Sequence, residues 1–300
     1  MEIKIAEVCG LCAGCKRAIC TAKNLLSSGE QVTIFKEIVH NENVNSSLKN
    51  LGAKFEDDIT KLSSKGFVII RAHGEPPATY DFFKENNIRY RDCTCFNVEK
   101  IHNLVKEHYD ANYAIVIIGK HKPNIHPEVF GTLGWANNDA IIIQDEQDLI
   151  KLEDIEKDIY LVCQTTFNIS IAEELILKIK QIAESKGLQL IVNNSICASN
   201  KLINQSSRKL AEKCDVMIVV GGKNSSNTKE LYNNLKNVCP IFFVENIHNY
   251  KSALKESKIK INKNTKIGIT AGASTMKEEL EVLRKMINED FSGKTSSLTR

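Results

Sequence analysis

The sequence predicts an α/β protein of three small, pseudo-symmetric domains, each with a mainly parallel sheet covered by helices. Three observations carry that expectation. Short runs rich in Val and Ile recur at a steady spacing and are apolar on both faces, as strands buried between helices must be. The stretches between them repeat apolar residues with helical period. Cys12, Cys95 and Cys197 each stand where a run gives way to a helical stretch, about a third of the chain apart.

Taken in order, the strand-like runs cover 3–8, 32–38, 66–72, 113–119, 140–144, 159–164, 188–193, 215–221, 241–245 and 266–271. Helical period is plainest in 169–186, where Ile171, Leu175, Ile176, Ile179 and Ile182 line one face. The repeated pattern divides into domains at 1–95, 96–194 and 195–285, with 286–300 as a polar tail. In a parallel sheet the strand-to-helix junctions gather at the carboxyl edge, where ligands bind. Each domain is therefore expected to point one cysteine loop at a common centre.

Composition narrows the function. Of 300 residues, 42% are hydrophobic and 26% charged, which is ordinary for a globular protein. Forty basic and 37 acidic residues leave a net charge of +3, and the lysines are spread along the chain. That pattern argues against nucleic acid or a membrane as partner and leaves room for a local cationic site sized for a small anion. The start, Met1-Glu2-Ile3-Lys4-Ile5-Ala6-Glu7, lacks the long apolar run of a signal peptide, and no membrane-length apolar stretch occurs. A cytoplasmic location is expected.

Ten cysteines are the unusual feature. Structural disulfides are disfavoured in a reducing compartment, so the excess points to metal or thiol chemistry. Cys163 sits in an apolar run and Cys214 and Cys239 at the ends of helical patterns, and all three read as small core residues. Cys9-Gly10-Leu11-Cys12-Ala13-Gly14-Cys15 has C-x2-C-x2-C spacing, with Cys20 beyond it, and resembles half of a bacterial ferredoxin motif. However, Lys16 to Leu26 reads as helix, and no second C-x2-C or H-x3-5-H pair completes a zinc site. Cys93-Thr94-Cys95 and the isolated Cys197 supply two further junction thiols. Three thiolates with no fourth describe an iron–sulfur cluster that leaves one iron open as a Lewis acid.

Polar groups crowd the other junctions. His40-Asn41, His73-Gly74, His126-Pro127-Glu128 and Gln164-Thr165-Thr166 each follow a strand-like run. Gly221-Gly222-Lys223-Asn224-Ser225-Ser226-Asn227 and Thr270-Ala271-Gly272-Ala273-Ser274 combine flexible glycines with donors at a helix start. Any one of these loops alone reads as simple N-capping. Two of them together with three histidines point to a phosphate or diphosphate.

These motifs, in this order, resemble the 4-hydroxy-3-methylbut-2-enyl diphosphate reductase family over about residues 3 to 285. The resemblance implies three α/β domains around one central [4Fe-4S] cluster, with Cys12, Cys95 and Cys197 as ligands and one iron open to the substrate hydroxyl. It implies a diphosphate held by His40, His73, His126, Ser225, Ser226, Asn227 and Ser274. Glu128 would be the proton donor, and Thr166, with Thr165, the hydroxyl that organises the proton path. The products would be isopentenyl and dimethylallyl diphosphates, and the electrons would come from an external donor such as a ferredoxin or flavodoxin. Two departures stand out: Phe96 follows Cys95 where the family usually has Pro, and the 119–126 stretch is long. Cys9, Cys15, Cys20 and Cys93 are extra to the ligand set. A quinolinate synthase-like enzyme would not need the diphosphate cradle. A simple electron carrier built on Cys9, Cys12 and Cys15 would leave His40 and Glu128 without work.

Overall fold

The computed structural model describes residues 1–39, 41–222, 225–273 and 275–292, without the side chains of Ser226 and Ser292. The chain opens with β1 (Glu2–Ile5), α1 (Ala13–Ser27), β2 (Val32–Phe35), α2 (Glu42–Asn50), β3 (Lys54–Glu56), β4 (Phe67–Ile70), α3 (Pro77–Glu85) and β5 (Tyr90–Asp92). It continues through α4 (Phe96–Asp110), β6 (Ala114–Ile118), α5 (Pro127–Gly134), β7 (Ala140–Ile143), β8 (Ile159–Cys163), α6 (Ile169–Ser185) and β9 (Leu190–Asn193). The last third holds α7 (Ala198–Ala211), β10 (Val216–Val220), α8 (Ser226–Leu235), β11 (Ile241–Val244), α9 (Tyr250–Ser257), β12 (Lys266–Ala271) and α10 (Lys277–Ser292).

Among the described residues these strands form three four-stranded sheets, ordered β3-β2-β4-β5, β7-β6-β8-β9 and β1-β12-β10-β11. Every pairing is parallel. The expected three-domain α/β architecture is therefore present, and one pattern repeats: the first and third strands of each set lie side by side, flanked by the second and fourth. In the third sheet the fourth place is taken by β1. Ile3 pairs with Ile267 and Ile5 with Ile269, and both half-buried side chains pack on the core formed by Ile218, Ile267 and Ile269.

Two compact units result. The first, Met1–Ala13 with Val39–Ser47 and Ala198–Arg300, carries the third sheet; the second, Gly14–Ile38 with Leu48–Cys197, carries the first two sheets. This corrects the expected division in two places. The first strand belongs to the last sheet rather than to 1–95, because its apolar face matches β12. The polar tail at 286–300 is helical at its start, since α10 runs on to Ser292 and buries Ile287. Two strands, β3 and β5, also went unforeseen. Both are three-residue edge strands with half-buried or exposed side chains, so they lack the apolar signature of central strands.

The central strands show that signature fully. All five residues of β8 and all five of β10 are buried. Each large apolar side chain so removed from water contributes about 1.5–3 kcal/mol. The second and third sheets have a core on each face, as helices on both sides require.

Candidate active site

The strand order decides where chemistry can sit. Where the first and third strands are neighbours, their following loops turn away to opposite sides and leave a crevice at the carboxyl ends. The polar motifs occupy those loops. The 119–126 and 164–168 stretches follow β6 and β8; 221–225 and 272–276 follow β10 and β12; 71–76 follows β4. The cysteines occupy the remaining place. Cys12, Cys95 and Cys197 each follow a fourth strand and immediately precede α1, α4 and α7.

Glu128 is the best-defined group. Pro127 starts α5, and the His126 ring caps it, its Nδ1 accepting from the Glu128 N–H at 3.2 Å. This aims the Glu128 carboxylate at the end of β8. There Oε1 accepts from the Thr165 N–H at 2.5 Å and Oε2 from the Thr165 hydroxyl at 2.7 Å. The side chain is 2% exposed. Burial pushes its pKa up to about 7, while the two Thr165 hydrogen bonds pull the other way. A carboxyl that titrates near neutrality is suited to giving and taking a proton. Gly119 permits the close approach, because a Cβ there would stand 2.5 Å from Val129 Cγ2. Gln164 ties the two loops, accepting from the Lys120 N–H at 3.0 Å and donating to the Thr166 hydroxyl at 2.7 Å. Thr165 is thus the threonine in contact with Glu128, and Thr166 is held one step away by Gln164.

His73 stands beside His126, ring centroids 5.4 Å apart and nearly perpendicular. Behind them Gly74 adopts φ +73°, and a Cβ there would meet the His102 ring at 2.5 Å. His102 is buried and stacked on Trp135 at 5.3 Å, and burial lowers its pKa to about 4, so it stays neutral. Glu75 follows, 1% exposed, bound by Lys36 at 2.9 Å and Arg71 at 3.6 Å. Neither His102 nor Glu75 was singled out from the sequence. Lys36 and Trp135, which they meet, lie far along the chain from Glu75 and His102, and no local spacing marks either residue.

Two of the three cysteine loops lie in the second unit. Cys95 follows a turn organised by Asp92, which accepts from the Thr94 N–H at 2.8 Å and from Tyr80 at 3.0 Å. The Cys95 N–H bonds Ala72 at 3.0 Å, and the Cys197 N–H bonds Thr165 at 2.9 Å. Asn97 donates to Cys197 Sγ at 3.3 Å, bringing the start of α4 to the Cys197 loop. Asn97 is a contact the sequence reading missed, although its place two residues after Cys95 could have flagged it. A Cβ on Gly14 would lie 3.0 Å from Cys95 Sγ, so only glycine fits there without displacing that thiol. Phe96 opens α4 with its ring 70% exposed. The first helical position has no intrahelical use for its N–H, so replacing Pro there leaves the turn intact. In the first unit, the Cys12 N–H bonds Ala273 at 3.3 Å.

Burial raises the pKa of Cys9, Cys93 and Cys239, pushes Cys214 up to about 11 and Cys163 up to about 12. Among the described residues no three His, Cys, Asp or Glu side chains come close enough to share one metal ion. Sulfurs that bind different irons of one cluster stand farther apart than donors on a single ion.

The last loops lie in the first unit. Ser225 is buried and caps α8, its hydroxyl accepting from the Thr228 N–H at 3.3 Å. Gly221 and Gly272 pinch the fully buried Thr228 between them; a Cβ on either would stand 2.6 or 2.5 Å from its hydroxyl. Asn227 is half-buried, and its Oδ1 has no hydrogen-bond partner among the described residues. His40, Ser274 and the side chain of Ser226 lie outside the described residues.

The family model described as LytB protein matches residues 3–288. The chain belongs to the LytB family. A LytB relative from Clostridioides difficile, named 4-hydroxy-3-methylbut-2-enyl diphosphate reductase, is 36% identical over 92% of this chain and 95% of its own. A relative of the same name from Alkaliphilus oremlandii is also 36% identical, over 96% of this chain and 99% of its own. The solved E-1-hydroxy-2-methyl-but-2-enyl-4-diphosphate reductase of Plasmodium falciparum superposes with TM-score 0.84 at 28% identity, covering 96% of this chain and 88% of that one. Among the described residues no helix is long and apolar enough to cross a membrane.

Proposed function

We propose that this chain removes the C4 hydroxyl of 4-hydroxy-3-methylbut-2-enyl diphosphate as water, giving isopentenyl and dimethylallyl diphosphates. The names of its LytB relatives supply the substrate. The observation that carries the chemistry is Glu128, buried, gripped by Thr165 and titrating near 7 beside the His126–His73 pair. Hydroxide is a poor leaving group, so the reaction needs a positioned acid and a supply of electrons.

The proposed cofactor is one [4Fe-4S] cluster with Cys12, Cys95 and Cys197 as ligands. The donor set fits. Each of the three thiols stands at the start of a helix of 14 or 15 residues, where the dipole favours a thiolate. The Asn97 N–H on Cys197 Sγ is the kind of hydrogen bond that tunes a cluster sulfur. Such a cluster, when bound, supplies electrons and an open iron that polarises a hydroxyl.

The remaining work falls to side chains. Glu128 holds the proton, and its Oε2 and the Thr165 hydroxyl, 2.7 Å apart, form the relay that delivers it. Thr166 is the second proposed hydroxyl of that path. His40, His73, His126, Ser225, Ser226, Asn227 and Ser274 are the proposed diphosphate cradle, where imidazolium and hydroxyl donors suit the anion. The proposed electron donor is a ferredoxin or flavodoxin, in the cytoplasm.

The test is iron and sulfide analysis of anaerobically purified protein, with product formation followed under a chemical reductant. Cys12→Ser, Cys95→Ser and Cys197→Ser should each lose the cluster, whereas Cys20→Ser and Cys93→Ser should keep most of it. Complete loss in Cys9→Ser or Cys15→Ser would favour a ferredoxin-like centre instead.

A further inference from the structure

A groove in the first unit lies outside all the loops described above. Its floor is β1 and the residues that follow as far as Val8, its walls are α7 and α10, and its volume is about 720 Å³. Five cations line it, Lys4, Lys209, Lys213, Lys277 and Arg284, against the carboxylates of Glu7 and Glu281. Two of the cations are paired, Lys4 with Glu2 at 2.6 Å and Arg284 with Glu281 at 2.7 Å. Lys209, Lys213 and Lys277 are exposed and have no acidic partner among the described residues. In a chain whose charges nearly balance, this is a local positive field. Val8 and Leu202, 40% and 52% exposed, add apolar surface to the lining. A cationic rim with apolar patches fits an acidic protein face better than a free small anion.

The groove's position says what such a partner would bring. Its floor strand runs directly into the 9–12 loop, which is fixed by the Leu11 N–H to Thr275 at 2.8 Å and the Cys12 N–H to Ala273 at 3.3 Å. Lys277 stands close enough to Cys9 to act on its thiol electrostatically. We propose that this groove docks the acidic face of a small one-electron carrier, an iron–sulfur or flavin protein. The proposal rests on the reductase reading above. In that reaction the allylic C–O bond breaks, a C–H bond forms, and two protons and two electrons are consumed as the oxygen leaves as water. Two carrier molecules are each oxidised by one electron per turnover.

The test uses the cluster-loaded enzyme and compares two reductants: a reduced ferredoxin of net negative charge, and dithionite with a viologen. In Lys209→Glu/Lys213→Glu the KM for ferredoxin should rise at least about tenfold at low salt, with turnover under dithionite and viologen unchanged. The wild-type KM for ferredoxin should rise with ionic strength, and the variant's should not. An unchanged KM in the variant, or a salt-independent one in the wild type, overturns the docking site. Should the charge reversal also lower turnover with the chemical reductant, the milder Lys209→Gln/Lys213→Gln decides. An equal loss with both reductants there overturns the proposal, and a loss confined to ferredoxin supports it. Wild-type enzyme inactive with the chemical reductant would instead count against the reductase reading itself.

Discussion

At the scale of single residues, the proposed proton chemistry turns on Glu128. Glu128→Gln keeps the size and hydrogen bonding of the side chain but has no acidic proton. It should retain its cluster and bind substrate while turning over at least about 100-fold slower, measured with a chemical reductant. Near-wild-type turnover would reduce Glu128 to a helix-start residue. A stability signature accompanies this. The folded-state pKa lies above the ordinary carboxyl value, so deprotonation opposes folding and stability falls as pH rises through about 7. Between about pH 5 and about pH 8 the wild type should lose roughly 2.5 kcal/mol relative to Glu128→Gln, read from denaturant melts. The residue itself was legible in the sequence, because His126-Pro127-Glu128 is a helix start after a strand. Its partner was not. Thr165 lies 37 residues away, and neighbouring threonines offered no way to tell which one meets the carboxylate.

At the scale of elements, the long 119–126 stretch proves to be anchored rather than loose. Its His121 and Lys122 N–H groups both bond Gln144 Oε1, at 2.7 and 2.9 Å. Asp148, 3% exposed, receives His121 Nε2 at 2.8 Å and Lys122 and Lys151 at 2.9 Å each. Burial alone would raise its pKa, but hydrogen bonds from Lys151, His121, the Gln144 N–H and Lys122 outweigh it and hold the carboxylate far below its usual range. Asp148→Asn should therefore release the loop that leads into α5. We expect urea melts to show a loss of about 1–3 kcal/mol, together with a raised KM and an unchanged cluster absorption spectrum. Unaltered stability and KM would mean that Gln144 alone suffices. The sequence revealed the length of this loop but not its anchors, since Gln144 and Asp148 sit beyond the next strand. The central strands were legible for the opposite reason: their continuous Val and Ile runs encode burial locally. The edge strands β3 and β5 carry no such run.

For the whole molecule, the decisive feature is that β1 completes the sheet of the last third of the chain. No local signal announces it. An alternating apolar strand states that it needs a partner but does not state which one. Deleting Glu2–Ile5 should leave the first two sheets folded, because their cores use none of these residues. The truncated protein should nevertheless lose its iron although it keeps all three proposed ligands, as iron analysis alongside limited proteolysis would show. Full iron content in the truncated protein would mean that the Cys12 loop is shaped without β1. The same pairing sets an order of events during biosynthesis. β1 leaves the ribosome long before its partner, which begins at Lys266, so it waits roughly ten to fifty seconds for it at ordinary elongation rates. The Cys95 and Cys197 loops are built on strands that pair as they emerge, whereas the Cys12 loop takes shape only when the C-terminal part of the chain is free. With the proposed ligand set, iron loading has to follow synthesis of β12, and until then a nascent chain carries the Cys12, Cys95 and Cys197 thiols unligated and open to oxidation.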